Sequence, residues 1–229
     1  MALPQLNDTP KYTLTVPSTG QELRYRPYLV REEKVLLIAS STEDPKQVMN
    51  AIYDTVSACV EGVDINTLTT FDLEYIFIQL RSKSTGETSE INVKCPSCGH
   101  KNPATVYLNN IVCTKSNSDP IIKITDEITV EMRYPSYRDV PMDTPNEEVG
   151  FGLVASSIKS VIVGDEKIDV ADEPFESVVK FIESMTQDQF TTMSKFFEDT
   201  PRVKYDLPLL CSECGTKETI EITGMTSFF

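Results

Sequence analysis

Cys95-Pro96-Ser97-Cys98-Gly99-His100 and, more than a hundred residues later, Cys211-Ser212-Glu213-Cys214-Gly215-Thr216 are two versions of one short pattern. Each sets two thiols three positions apart on a tight turn, so that both sulfurs face its concave side and can grip one metal ion. The glycine after each pair supplies the positive φ that such a turn needs, and backbone N–H groups can then point at the sulfurs. Four thiolates in a tetrahedron suit Zn²⁺ better than most ions, so Cys95, Cys98, Cys211 and Cys214 are expected to hold a structural zinc. Rubredoxin-like iron and a pair of redox-active disulfides are the alternatives that the same spacing leaves open. With cysteine in all four positions, no coordination site is left for a substrate or an activated water, which argues against zinc catalysis.

Strand-like segments flank both turns. Ser89-Glu90-Ile91-Asn92-Val93-Lys94 enters the first and Thr105-Val106-Tyr107-Leu108 leaves it; Tyr205-Asp206-Leu207-Pro208-Leu209-Leu210 enters the second and Glu218-Thr219-Ile220-Glu221-Ile222 leaves it. Two strand-knuckle-strand units sharing one ion make a zinc ribbon, and the ion then ties together remote parts of the chain. Whatever lies between Cys98 and Cys211 becomes an insertion, held by a rigid adaptor.

Upstream, Lys11 to Val16 and Glu22 to Arg26 alternate with period two around Pro17-Ser18-Thr19-Gly20, which predicts a hairpin. A helix is expected from Glu32 to Ala39. A second opens at Asp44-Pro45, with Gln47 placed for a capping box and Val48, Ile52, Val56 and Cys59 as its buried stripe. A third, Thr69 to Ser82, is apolar nearly all round, as a helix central to its domain would be. Within the insertion, Ile121 to Ile124 and Ile128 to Met132 predict a hairpin. A proline-interrupted stretch, Pro135 to Pro145, follows it. Helices are then expected over Glu147 to Val161, at Phe175-Val178-Val179-Ile182, and at Phe190-Met193-Phe196-Phe197, the last opened by Thr186-Gln187-Asp188-Gln189.

The fold class expected is therefore α+β. An N-terminal β-hairpin plus three helices occupies residues 1–86, and a four-cysteine zinc ribbon occupies 87–114 and 201–229. Between the knuckles, residues 115–200 form a hairpin and a mostly helical acidic subdomain.

Charge and composition narrow the function. The 229 residues carry 21 Lys+Arg against 35 Asp+Glu, a net charge of −14, and Asp139 to Asp199 alone holds 14 acidic residues against 4 basic ones. So acidic a chain repels phosphate backbones and anionic membranes unless its basic residues cluster. Around the knuckles Lys94, Lys101, Lys204 and Lys217 are offset by neighbouring carboxylates, so no nucleic-acid partner is expected; a zinc-ribbon nucleic-acid module stays as the weaker alternative. Nor is a membrane partner expected, and a soluble protein made in the cytosol is. His100, the single histidine, is expected to be exposed rather than a ligand, and it leaves no material for a nucleophilic triad. No phosphate-binding glycine loop is present. Cys59 and Cys113 sit in apolar segments and read as buried packing.

The order of several stretches resembles the baseplate hub proteins of T-even-type contractile-tailed bacteriophages. They are Tyr25-Arg26-Pro27-Tyr28-Leu29-Val30-Arg31-Glu32-Glu33-Lys34, Leu68 to Tyr75 running into Gln79 to Glu87, both cysteine turns, and the helices from Pro174-Phe175 to Phe197. The resemblance covers nearly the whole chain. It implies a late protein needed to build the hub of the tail baseplate, without catalytic residues, and contacts with other hub or tail proteins, the tape-measure protein being one candidate. It implies a place in the virion tail or, for a transient chaperone-like assembly factor, in the host cytoplasm during assembly.

Overall fold

The computed structural model describes residues 9–42, 44–139 and 146–228. The chain is α+β and falls into two compact units. One gathers the described parts of Met1–Thr67, Phe71–Thr114 and Arg202–Phe229; the other gathers Leu68–Thr70 and Lys115–Pro201.

The first unit opens with the expected hairpin, β1 (Tyr12–Thr15) against β2 (Glu22–Tyr25). Leu14 pairs with Leu23 and both are buried, while Thr13 and Arg24, one residue along, face water. This alternation fixes the register, because a one-residue slip would turn both leucines outward. Helix α1 (Val30–Ser41) starts where Glu32 reaches back to accept the Leu29 N–H at 2.7 Å. Helix α2 (Pro45–Cys59) is capped by the Asp44 carboxylate, which accepts the Lys46 N–H at 3.0 Å and the Gln47 side-chain amide at 2.9 Å. Gln47 thus bonds the cap's side chain rather than its backbone. Ile52, Val56 and Cys59 are buried as expected, and β3 (Val60–Glu61) then pairs with β2.

Helix α3 (Thr70–Ser84) is the central helix that its all-round apolar character predicts: Leu73, Ile76, Ile78 and Leu80 are fully buried. Its first turn carries a wholly buried carboxylate, Asp72, which accepts the backbone N–H of Ser18 at 2.9 Å and its hydroxyl at 2.6 Å. A charge held this way anchors the β1–β2 turn to the helix, since burying it without donors would cost several kcal/mol, about the whole stability of a small domain. After Gly86 come β4 (Thr88–Lys94), β5 (Lys101–Tyr107) and β6 (Val112–Cys113).

The second unit holds β7 (Ile121–Lys123), β8 (Ile128–Met132), α4 (Asn146–Ser156), β9 (Ile158–Val163), β10 (Glu166–Asp169), α5 (Phe175–Glu183) and α6 (Gln187–Ser194). The β7–β8 hairpin is the expected one, and Thr186 and Gln189 form the expected capping box. Of the proline-interrupted stretch, residues 140–145 lie outside the described residues. The helix expected to run to Val161 is a correction. It stops at Ser156, and Ile158 to Val163 is a strand that pairs with both β8 and β10, giving a four-stranded antiparallel sheet in the order β10-β9-β8-β7. Ile158, Val161, Ile162 and Val163 are β-branched, stiff at χ1 and better packed on a pleated surface than in a helix. Glu131 on β8 then fastens three strands, bonding Lys159 at 2.6 Å, Lys167 at 2.7 Å and the Ser160 hydroxyl at 2.9 Å. Val130, Ile158, Val178, Ile182, Met193 and Phe196 build this unit's core, and Tyr134 stacks on Phe196 with centroids 4.7 Å apart. Phe175, grouped by the sequence with Val178 and Ile182 on one face of α5, is exposed, whereas those two are buried.

The chain returns to the first unit through β11 (Val203–Leu210) and β12 (Lys217–Thr223). Strand β11 pairs with β12 on one edge and β6 on the other. Thr114 and Arg202 therefore sit side by side, with Thr114 N–H to Arg202 O at 2.9 Å and Arg202 N–H to Thr114 Oγ1 at 2.9 Å.

Candidate metal centre

Each pair of cysteines sits at the tip of an antiparallel hairpin, β4–β5 for the first and β11–β12 for the second, with Lys94 opposite Lys101 and Leu210 opposite Lys217 as the last paired residues. The two tips are built alike. Cys95 N–H donates to His100 O at 2.8 Å and Gly99 N–H to Cys95 O at 2.8 Å; Cys211 N–H donates to Thr216 O at 2.9 Å and Gly215 N–H to Cys211 O at 3.0 Å. Gly99 and Gly215 have φ of 75° and 72°, a conformation open to glycine at little steric cost and expensive for other residues.

The tips face one another. Cys95 Sγ lies 3.7 Å from Cys214 Sγ, Cys98 Sγ lies 3.6 Å from Cys211 Sγ, and all four sulfurs fall within 4.8 Å of one another. A tetrahedral ion with bonds of about 2.3 Å to sulfur would space its ligands about 3.8 Å apart, so the donor set fits a four-coordinate metal. Cys95 and Cys211 are buried beside Leu209 and Ile220, whereas Cys98 and Cys214 are exposed. The cage thus has an apolar floor and a surface rim.

The electrostatics of the four thiols are unequal. Backbone N–H groups of Cys214 and, behind an opposing cost of desolvation, Glu213 bring Cys211 down to about 6, with the Asn102 amide adding to them. Cys214 is lowered by the Thr216 hydroxyl, 3.2 Å from its sulfur, and by the Thr216 N–H. At Cys98 the His100 N–H pulls downward, but desolvation and the three neighbouring sulfurs outweigh it and hold the thiol up at about 12. Sulfurs that crowd each other in this way resist ionising together, and a cation among them reverses that penalty.

The four cysteines named by the spacing are brought together, and the two that it set aside behave differently. Cys59 is buried and Cys113 half-buried. Burial pushes each up to about 11, leaving them poor ligands and poor nucleophiles. His100 is exposed and contributes its backbone to the turn.

The spacing did not single out Asn102. It is the second residue of β5 and only 3% exposed. Its Nδ2 donates to His100 O at 3.1 Å and towards Cys211 Sγ at 3.6 Å, while its Oδ1 accepts the Ser212 N–H at 2.9 Å and the Ser212 hydroxyl at 3.0 Å. One amide therefore spans both tips. The repeat offers a clue: Lys101-Asn102 follows the first tip as Lys217-Glu218 follows the second, and Glu218 is exposed.

The family described as T4 bacteriophage base plate protein matches this chain over residues 9–229. No curated protein and no solved structure matches it. Among the described residues, no helix is long and apolar enough to cross a membrane.

Proposed function

The chain belongs to the T4 bacteriophage base plate protein family, and on that premise we propose that it is a non-enzymatic structural protein of the baseplate hub, organised by a structural zinc ion. Cys95, Cys98, Cys211 and Cys214 would hold the ion. The observation that carries this reading is the closed set of four sulfurs within 4.8 Å of one another, at the tips of hairpins distant in sequence, in a chain matched to a baseplate family along nearly its whole length. The tetrahedral all-thiolate set would accept zinc or iron alike, and zinc is the choice here because a purely structural part has no use for a redox-active ion.

The ion supplies folding free energy, about 10–16 kcal/mol by comparison with zinc-finger peptides. The chain's residues do the rest. Two glycine turns present the sulfurs, Leu209 and Ile220 keep water from the floor, and β11 carries the constraint from the cage to β6. What results is a stiff element with no open ligand position, which suits a part whose task is to hold neighbours in place. Its partners would be other hub or tail proteins, the tape-measure protein among the candidates, and its place the tail of the virion.

A second role fits the same chain, that of a transient assembly factor acting in the host cytoplasm and absent from the finished particle. Quantitative mass spectrometry of purified tails, beside isolated hub intermediates, separates the two. A stoichiometric signal in finished tails supports the structural role. A signal confined to intermediates replaces it with the assembly role, and a chain found in neither overturns both.

A further inference from the structure

We propose that Asn102 is a positioning residue that locks the two cysteine tips together and holds Cys211 at the metal; this deepens the zinc reading and rests on it. A metal held by ligands 113 and 119 positions apart has to meet segments that chain entropy keeps separate. Whatever docks the tips independently of the ion spares it that work, and the second set of hydrogen bonds around a metal commonly fixes its ligands in this way.

Asn102 has the geometry for it. Strand β5 fixes its backbone opposite Val93, and the strand's alternation turns its side chain inward together with Val106. The amide uses both of its ends. The oxygen takes two donors from Ser212, the residue after Cys211, and the nitrogen splits between His100 O on its own tip and Cys211 Sγ on the other. No shorter side chain reaches both tips, and a carboxylate in its place could not donate to the sulfur. The paired position in the other hairpin, Glu218, is exposed, so the lock is one-sided. The approximate twofold repeat of the tips is broken at this residue.

The test uses the full chain and zinc alone. Wild type, Asn102→Ala, Ser212→Ala and, as a control at the matching position, Glu218→Ala are compared by competition with a chelator of known affinity and by the rate of zinc loss. Expected for Asn102→Ala is a loss of affinity of about 10–100-fold, the usual effect of removing such a partner. Ser212→Ala, which sheds a single neutral hydrogen bond, is expected to lose about threefold, and Glu218→Ala should match wild type. Cobalt(II) substitution adds a readout that general destabilisation would not move. The sulfur-to-cobalt charge-transfer band should shift in Asn102→Ala, whose Cys211 has lost its N–H donor, and stay in place in Ser212→Ala. Affinity within twofold of wild type and an unshifted band in Asn102→Ala would overturn the lock while leaving the zinc reading intact. If that variant does not fold, Ser212→Ala decides, with faster zinc loss upholding the lock and a wild-type rate overturning it. A wild-type chain that takes up no zinc overturns both readings.

Discussion

At the scale of single residues, Cys95 and Cys211 sit on the buried floor and Cys98 and Cys214 on the rim, but a tetrahedral ion held between the tips would need all four. Replacing either Cys95 or Cys214 by serine should remove the metal and leave the protein insoluble or poorly folded, as judged by metal content and by the soluble fraction on expression. A Cys95→Ser/Cys214→Ser chain that is metal-free, soluble and as stable as wild type would refute a structural role. Glu32 offers an independent check in the same unit. Desolvation alone would raise its carboxyl, but the Arg31 and Arg26 guanidinium groups and the Leu29 N–H reverse this and bring it down to about 2 from an ordinary 4.5. A depressed carboxylate stabilises the fold above its unfolded pKa, and that contribution drains away as pH falls from about 4.5 to about 2. Glu32→Gln is therefore expected to cost about 2 kcal/mol in urea denaturation at pH 7, and the same at pH 6, since both lie above the ordinary carboxylate value. A loss below about 0.5 kcal/mol at pH 7 would contradict the assignment. The grouping of the four sulfurs is legible in the sequence because their spacing and the following glycine are local, whereas Asn102 is hidden because its role depends on which way one strand residue faces.

Among the elements, hairpins and capped helices are legible in the sequence wherever the signal is strictly local: period two in β1 and β2, Asp44-Pro45 before α2, Thr186 and Gln189 before α6. The boundary between α4 and β9 is hidden in the sequence for a physical reason. A run of apolar residues following a helix looks the same in either state by hydrophobicity alone, and only its β-branched content and the Gly164-Asp165 turn distinguish it. Gly164 has φ of 58°, and a Cβ there would meet no neighbouring atom, so only backbone strain opposes a side chain. Gly164→Ala should accordingly destabilise the second unit by about 1–2 kcal/mol, measured by hydrogen exchange of the β9 and β10 amides. Exchange rates equal to wild type would show that the turn is not held in this form. In the first unit α3 is the element on which packing depends most. Ile76 is fully buried, and Ile76→Ala is expected to cost about 2–5 kcal/mol by chemical denaturation. A cost below 1 kcal/mol would mean that the helix is less central than its burial indicates.

For the molecule as a whole, the acidic stretch between the cysteine pairs is an insertion whose two ends meet inside the first unit. Thr114 and Arg202 are joined by two hydrogen bonds, and β6 and β11 continue from them as neighbours. Replacing Lys115–Pro201 by a short Gly-Ser turn should therefore leave a chain that still folds and still binds one metal ion, as read by circular dichroism and metal analysis. An unfolded or metal-free product would show that the first unit depends on the insertion. That the insertion begins and ends at one place was readable in the sequence only through the paired cysteine tips, since nothing local marks β6 and β11 as partners. The claim on which the rest hangs is that one ion joins those tips. Native mass spectrometry of the purified 25.7 kDa chain, with elemental analysis of the same sample, measures it directly. Expected is a single zinc per chain that disappears in Cys211→Ser. A wild-type chain without bound metal, whose Cys98 and Cys214 thiols are readily alkylated while the fold stays intact, would contradict it.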